Sequence, residues 1–84
     1  MRIVEIESDD KIRVFPNPSS DFLNIESQLK IEQLVIYSTN GALIEVVKMK
    51  DTSKGIDLSR YQKGAYFIVF KLSDTVVYKK FIKI

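Results

Sequence analysis

Asp51, Thr52, Ser53 and Asp57 place four oxygen-bearing side chains within the run DTSKGID, a spacing that could in principle wrap a hard cation. Lys54 stands inside that run, however, and position 62, where a calcium loop would close with glutamate, is Gln62. The segment therefore reads as an ordinary polar loop. Other chemistry is sparse. With no histidine and no cysteine, imidazole base catalysis, thiol nucleophiles and the common zinc sites are excluded. Glycines at 41, 55 and 64 are too far apart to cradle a phosphate. The 11 carboxylates are scattered over turns and exposed strand positions and give no acid pair to face each other across a cleft. Pro18 also disqualifies Asn17-Pro18-Ser19 as a glycosylation acceptor. The sequence predicts no enzyme, no cofactor and no metal site.

Two groups of residues could recognise a partner. Four tyrosines and five phenylalanines could stack on sugars or bases, but they fall mostly in strand-like runs, where aromatics usually fill a core. Lys79, Lys80 and Lys83 crowd the last six residues. They form either a recognition patch or a guard against aggregation on a terminal edge strand, and physics alone favours the guard.

Composition bounds the rest. At 84 residues, 45% hydrophobic and 29% charged, the chain suits one globular domain with a stability of roughly 5 to 10 kcal/mol. A net charge of +2 with both signs interspersed is too weak a footprint for nucleic acid. The opening MRIVEIESDD has no apolar run of signal-peptide length, and no stretch approaches a membrane span. The expectation is a soluble chain without an N-terminal export signal.

The elements that must position these residues are strands. β-branched and aromatic runs alternate with turn residues throughout. Residues 2–7 read as a strand at an edge or in a linker, and 11–15 as a strand with Ile12 and Val14 on one face. Residues 22–26 put Leu23 and Ile25 inward, and residues 34–37 form another strand ending at Asn40-Gly41, a strong hairpin signal. A returning strand covers 43–49, the polar KDTSKG forms a loop, and GIDLS follows. RYQKG turns at Gly64, a position for positive φ, into residues 65–72, apolar at seven of eight positions. If Tyr66, Ile68 and Phe70 point inward in that central strand, its outward face carries Phe67 and Val69, an exposed pair of which would suggest a docking patch. Residues 75–84 form the last strand, whose inward face alternation does not choose. About seven short strands at this spacing predict an all-β, antiparallel β-sandwich.

Both prolines of the chain lie in FPNPSSD, one residue apart. Each pushes its predecessor out of the helical region and donates no backbone hydrogen bond. The strand at 11–15 must leave its ladder at Pro16, and Asn17-Pro18-Ser19-Ser20 suits a turn. The local reading is a rigid corner between two strands. Replacing both prolines by alanine is expected to lower stability without abolishing the fold.

The order of the pieces carries further information. The PNP corner, the D-x-L-x-I of Asp21, Leu23 and Ile25, IYSTNGALI, IDLSRYQKGAYFIVF and the lysine-rich YKKFIKI follow one another in turn. Together, over residues 12 to 84, they resemble the type A C-terminal sorting domain of the bacterial type IX secretion system, with residues 1–11 as a linker. The resemblance implies an immunoglobulin-like sandwich at the end of a larger protein. It also implies that the domain addresses its N-terminal cargo, by way of the periplasm and with shuttle proteins, to the outer-membrane type IX translocon. A cysteine-protease sortase at the outer membrane then typically removes the domain, leaving the cargo on the cell surface or secreted.

On this chain the resemblance assigns Pro16, Asn17 and Pro18 to the opening motif and Gly41 to the hairpin. It assigns Asp57, Leu58, Ser59, Gly64 and Tyr66 to the central block, and Lys79, Lys80 and Lys83 to the strand that the translocon reads. Three positions depart from the family's pattern: Ser38 stands where Asp is frequent, Ala42 where Arg or Lys is common, and Ile84 where lysine ends the chain. The competing expectation is an immunoglobulin- or fibronectin-like binding module of an adhesin or carbohydrate-binding protein, with its function in loops and exposed aromatics. An edge strand could also pair two copies into a homodimer.

Overall fold

A computed structural model of the chain describes residues 11–84 in full and residues 2–5 as backbone. Every element is a strand: β1 Arg2–Glu5, β2 Ile12–Phe15, β3 Phe22–Ser38, β4 Leu43–Asp57, β5 Gly64–Lys71 and β6 Thr75–Lys83. All neighbours are antiparallel except β1, which runs parallel to β6. The all-β antiparallel expectation holds.

The described strands number six rather than about seven, because two of them are longer than their sequence suggests. β3 is one strand where two were expected. Its first half pairs with β2 and its second half with β5, while β4 follows it along the other side. Register shifts between Glu26 and Gln33 let β3 bend between the two halves. The bend curls the sheet, so that β2 and β5 part and both halves close over one core.

The expected loop KDTSKG is part of β4. Glu26 faces Ser53, Ile25 faces Lys54 and Asn24 faces Gly55. Its composition is loop-like because β4 pairs on one side only and this stretch is exposed, so it buries few side chains. Extended backbone rises about 3.3 Å per residue, which spreads Asp51 and Asp57 along the strand instead of gathering them around a point. The calcium-loop spacing has no geometric counterpart.

The core follows the alternation. Leu23 and Ile25, Leu34 and Ile36, and Tyr66, Ile68 and Phe70 are all buried on the inward side, with Ile12 from β2. On β6 it is Val77 and Phe81 that go in, leaving Ile82 and Ile84 exposed. Val14, Val47 and Tyr61 pack against the margin of this cluster.

Candidate docking site: the proline corner and the terminal strand

The corner turns back onto β6. Asn17 uses its side chain as a piece of strand: its amide nitrogen donates to the Lys80 carbonyl at 3.3 Å, and its Oδ1 accepts the Ile82 N–H at 3.0 Å. Ser19 continues the pairing with its own backbone, donating to the Ile82 carbonyl and accepting from the Ile84 N–H, both at 2.8 Å. Its side chain is the one fully buried polar side chain among the described residues, and the hydroxyl donates to the Pro16 carbonyl. Both X–Pro bonds of the corner are cis. Prolines suit this place because neither Pro16 nor Pro18 has to donate to a ladder.

The last strand is therefore not an open edge. β1 covers its first half, from Thr75 to Tyr78, and the corner covers Lys80 to Ile84. The edge-guard reading of the three lysines loses its premise, since that edge is paired. Among the described residues β4 instead has no strand partner on one side, and Leu43, Ile44 and Val46 lie exposed on it.

The lysines do not form one patch. Lys79 lies opposite buried Ile68, on the side of Val77 and Phe81, while Lys80 lies opposite Phe67 on the outward face and is exposed. Lys79 and Lys80 do meet Val14 and Asn17 around a cavity of about 300 Å³ at the gap between β2 and β6. Lys83 stands apart, on the residue bridged by Ser19, with its ammonium donating to the Ile84 carbonyl at 3.0 Å.

The central block shapes the opposite end. Asp57 Oδ1 accepts the Ser59 N–H at 2.9 Å, and this bond holds the carboxyl below the usual carboxylate range. Leu58 is fully buried, and its N–H donates to the Asp21 carbonyl at 2.8 Å. Gly64 starts β5 at φ 147. Tyr66 is buried, stacks on Phe81 at 5.3 Å and donates its hydroxyl to the Gln62 carbonyl at 2.6 Å. A tyrosine that bonds back to upstream backbone at the start of a strand is a feature of immunoglobulin-type sandwiches. Tyr61 packs edge-on to Tyr66 and donates to Glu45 at 2.6 Å. Burial and that carboxylate push its phenol well above the ordinary tyrosine value.

Gly41, at φ 88, closes the β3–β4 hairpin. The departure at Ser38 has a structural reading. The Ser38 hydroxyl donates to Asn40 Oδ1, and both oxygens accept the Ala42 N–H at 3.2 Å. A hydroxyl thus supplies the acceptor that aspartate would. The hairpin and the RYQ turn border a second cavity of about 560 Å³, lined in part by Asn40, Glu45, Arg60 and Tyr61. Sequence reasoning missed Ser19, Glu45 and Tyr61. A lone serine in a turn and a tyrosine–glutamate pair sixteen residues apart leave no local signal.

Among the described residues no group of three or more potential metal ligands gathers. The motif residues cap, turn and pack within an all-β domain. It matches the model of the secretion system C-terminal sorting domain over residues 13–84. The chain belongs to that family, the sorting signals of type IX secretion. No curated protein matches it. Among solved structures it is similar to the sulfur carrier protein SoxY of Chlorobium limicola f thiosulfatophilum, at 6% identity and a TM-score of 0.62, covering 98% of this chain and 82% of that one. At that identity the likeness speaks for the fold alone.

Proposed function

We propose that this domain is a non-catalytic address at the end of a larger protein. It directs its N-terminal cargo from the periplasm through the outer-membrane type IX translocon, and a cysteine-protease sortase then removes it. The observation that carries the reading is the family match over residues 13–84. The fastening of the PNP corner to the last strand supports it, because it ties the two ends of that match into one rigid unit. Translocon components read the domain's surface, with Lys79, Lys80 and Lys83 as contacts, and cargo reaches the cell surface or the medium.

The test is a fluorescent reporter with a signal peptide, fused ahead of the chain, in a bacterium with a type IX system and in a translocon-deficient control. Reporter outside the first strain and held in the periplasm of the second supports the address. Equal retention in both, with the domain folded, overturns it and favours the binding-module reading. A folded version with Lys79, Lys80 and Lys83 changed to alanine, exported normally, would remove the lysine assignment alone.

A further inference from the structure

The outward face of the sheet formed by β4, β3, β5 and β6 is ordered in rows across the strands. One row is Val46, Val35, Val69 and Tyr78. The next is Leu43, Tyr37, Phe67 and Lys80. A third, Lys48, Gln33, Lys71 and Val76, borders the first on its other side. Val46 is 47% and Leu43 58% exposed, and Val35, Tyr37, Phe67, Val69 and Tyr78 are half-buried. The rings of Phe67 and Tyr78 pack edge to face with centroids 6.3 Å apart. Two adjacent rows are thus nearly all apolar; the charged residues within the three rows are all lysine, and β1 pairs Glu5 with Tyr78 at the end of the first row. None of the twelve positions carries a carboxylate.

We infer that this face, rather than the terminal strand alone, is the surface by which the domain docks on a protein partner. The partner's contact surface has an apolar centre bordered by carboxylates. The inference rests on the sorting-signal reading and names the kind of surface that reads it. Two arguments select the occupant. A second copy laid face to face would set lysine rims against each other, and like charges brought together across an interface cost several kcal/mol. An anionic membrane would attract the lysines, but surface-seated anchors depend on Trp, Phe or Leu side chains that reach about 5 to 10 Å into the bilayer. Here the ring of Phe67 lies against Tyr78 in the sheet, Val35 and Val69 are short, and of the side chains named for such anchors only Leu43, at the β4 end of its row, is largely exposed among these twelve positions. A flat, rigid protein surface fits what remains. Strands about 4.8 Å apart make the apolar rows roughly 300 Å², below the ~800 Å² per partner of a stable complex. The contact is transient, as a signal that must be released requires.

The experiment places Lys48→Glu, Lys71→Glu and Lys80→Glu together in the reporter fusion. A matched control changes Lys30, Lys54 and Lys63, which are exposed elsewhere, to glutamate. A third version carries Phe67→Ser alone. Each is checked for folding by circular dichroism. The face triple is expected to cut export about tenfold or more, with the control within about twofold of the unsubstituted chain. Export of the face triple at the control's level overturns the inference while leaving the sorting-signal reading intact. If the unsubstituted reporter shows no dependence on the translocon, that reading fails and the inference falls with it. The purified chain sedimenting as a dimer that Phe67→Ser dissolves would assign the face to a second copy. Co-sedimentation with vesicles containing an anionic phospholipid, abolished by the face triple, would assign it to the membrane. Either result overturns the protein-partner assignment.

Discussion

The Oδ1 of Asn17 accepts the backbone N–H of Ile82 at 3.0 Å, across 65 residues of chain. With the amide's bond to Lys80 and the two backbone bonds of Ser19, the corner substitutes for a neighbouring strand along the far half of β6. Asn17→Ala removes both side-chain bonds. They are exposed, so the expected loss is about 1 to 2 kcal/mol, read as a lower urea midpoint with an unchanged slope. Hydrogen exchange at the Ile82 amide should quicken while that at Ile84, held by Ser19, stays slow. Equal acceleration at both amides would mean the corner lifts as one piece.

Ser19 is a sharper case. Its side chain is 0% exposed and satisfies the Pro16 carbonyl. Ser19→Val leaves that carbonyl without its partner and adds two methyl groups to a closed space. The expected cost is about 2 to 4 kcal/mol, with Ser19→Ala milder because it only removes the hydroxyl. Thermal denaturation of the two variants checks the order, and a Val variant as stable as the Ala variant would show that the site has room.

The same corner shows how far sequence goes. Prolines announce a turn, and alternation places Leu23 and Ile25 in the core, whereas residues 65–72, apolar at seven of eight positions, mark a central strand without choosing its inward face. What alternation could not give was the meaning of polar extended chain. KDTSKG reads as a loop because β4 has one open edge, and the polar ESQLKIEQ hides the bend at which β3 changes partners. The inward face of β6 was undecidable for a related reason. Lys79 and Lys83 share the face of Val77 and Phe81, and lysines can lie there because β2 and β6 part at that margin, where Lys79 lines the cavity beside Val14. The candidate site was legible residue by residue, but its grouping depends on long-range closure that no spacing encodes.

Phe81 tests how much of the fold depends on the last strand. It is fully buried and stacked on Tyr66 at 5.3 Å. Phe81→Ala should cost about 3 to 5 kcal/mol, most of the margin of a domain this size. Circular dichroism should find it largely unfolded near 37 °C. Lys80→Ala, on the exposed side of the same strand, should change stability by no more than about 0.5 kcal/mol. Export defects of the two variants therefore have different meanings, unfolding for the first and lost contact for the second.

Gly41 and Gly64 separate backbone from packing. Neither would place an added Cβ within 4 Å of another atom, yet both have positive φ, 88 and 147. Alanine at either position is thus penalised by conformation alone. For Gly41→Ala about 1 to 2 kcal/mol is expected, and Gly41→Asn should recover part of it, since asparagine tolerates left-handed backbone. No such rescue is expected at Gly64, whose φ lies outside the region asparagine favours. Chemical denaturation of the four variants distinguishes the two sites.

Two groups make stability depend on pH, with opposite signs. The Asp57 carboxyl is held below its ordinary value of 3.8 by the Ser59 N–H. Its contribution is present above that value and is lost as pH falls through the lowered one. Asp57→Asn keeps an oxygen acceptor for the Ser59 N–H but cannot titrate, so the acid-side loss should be smaller than in the unsubstituted chain. Tyr61 runs the other way. Burial and the Glu45 carboxylate raise its phenol above 10.0, so its contribution is complete below pH 10 and declines as pH rises beyond it. The difference between variants is the quantity to measure. The stability gap between the unsubstituted chain and Tyr61→Phe should be constant from pH 7 to 9 and narrow between pH 10 and 11. A gap that held steady to pH 11 would show that the Tyr61–Glu45 bond does not couple folding to proton binding.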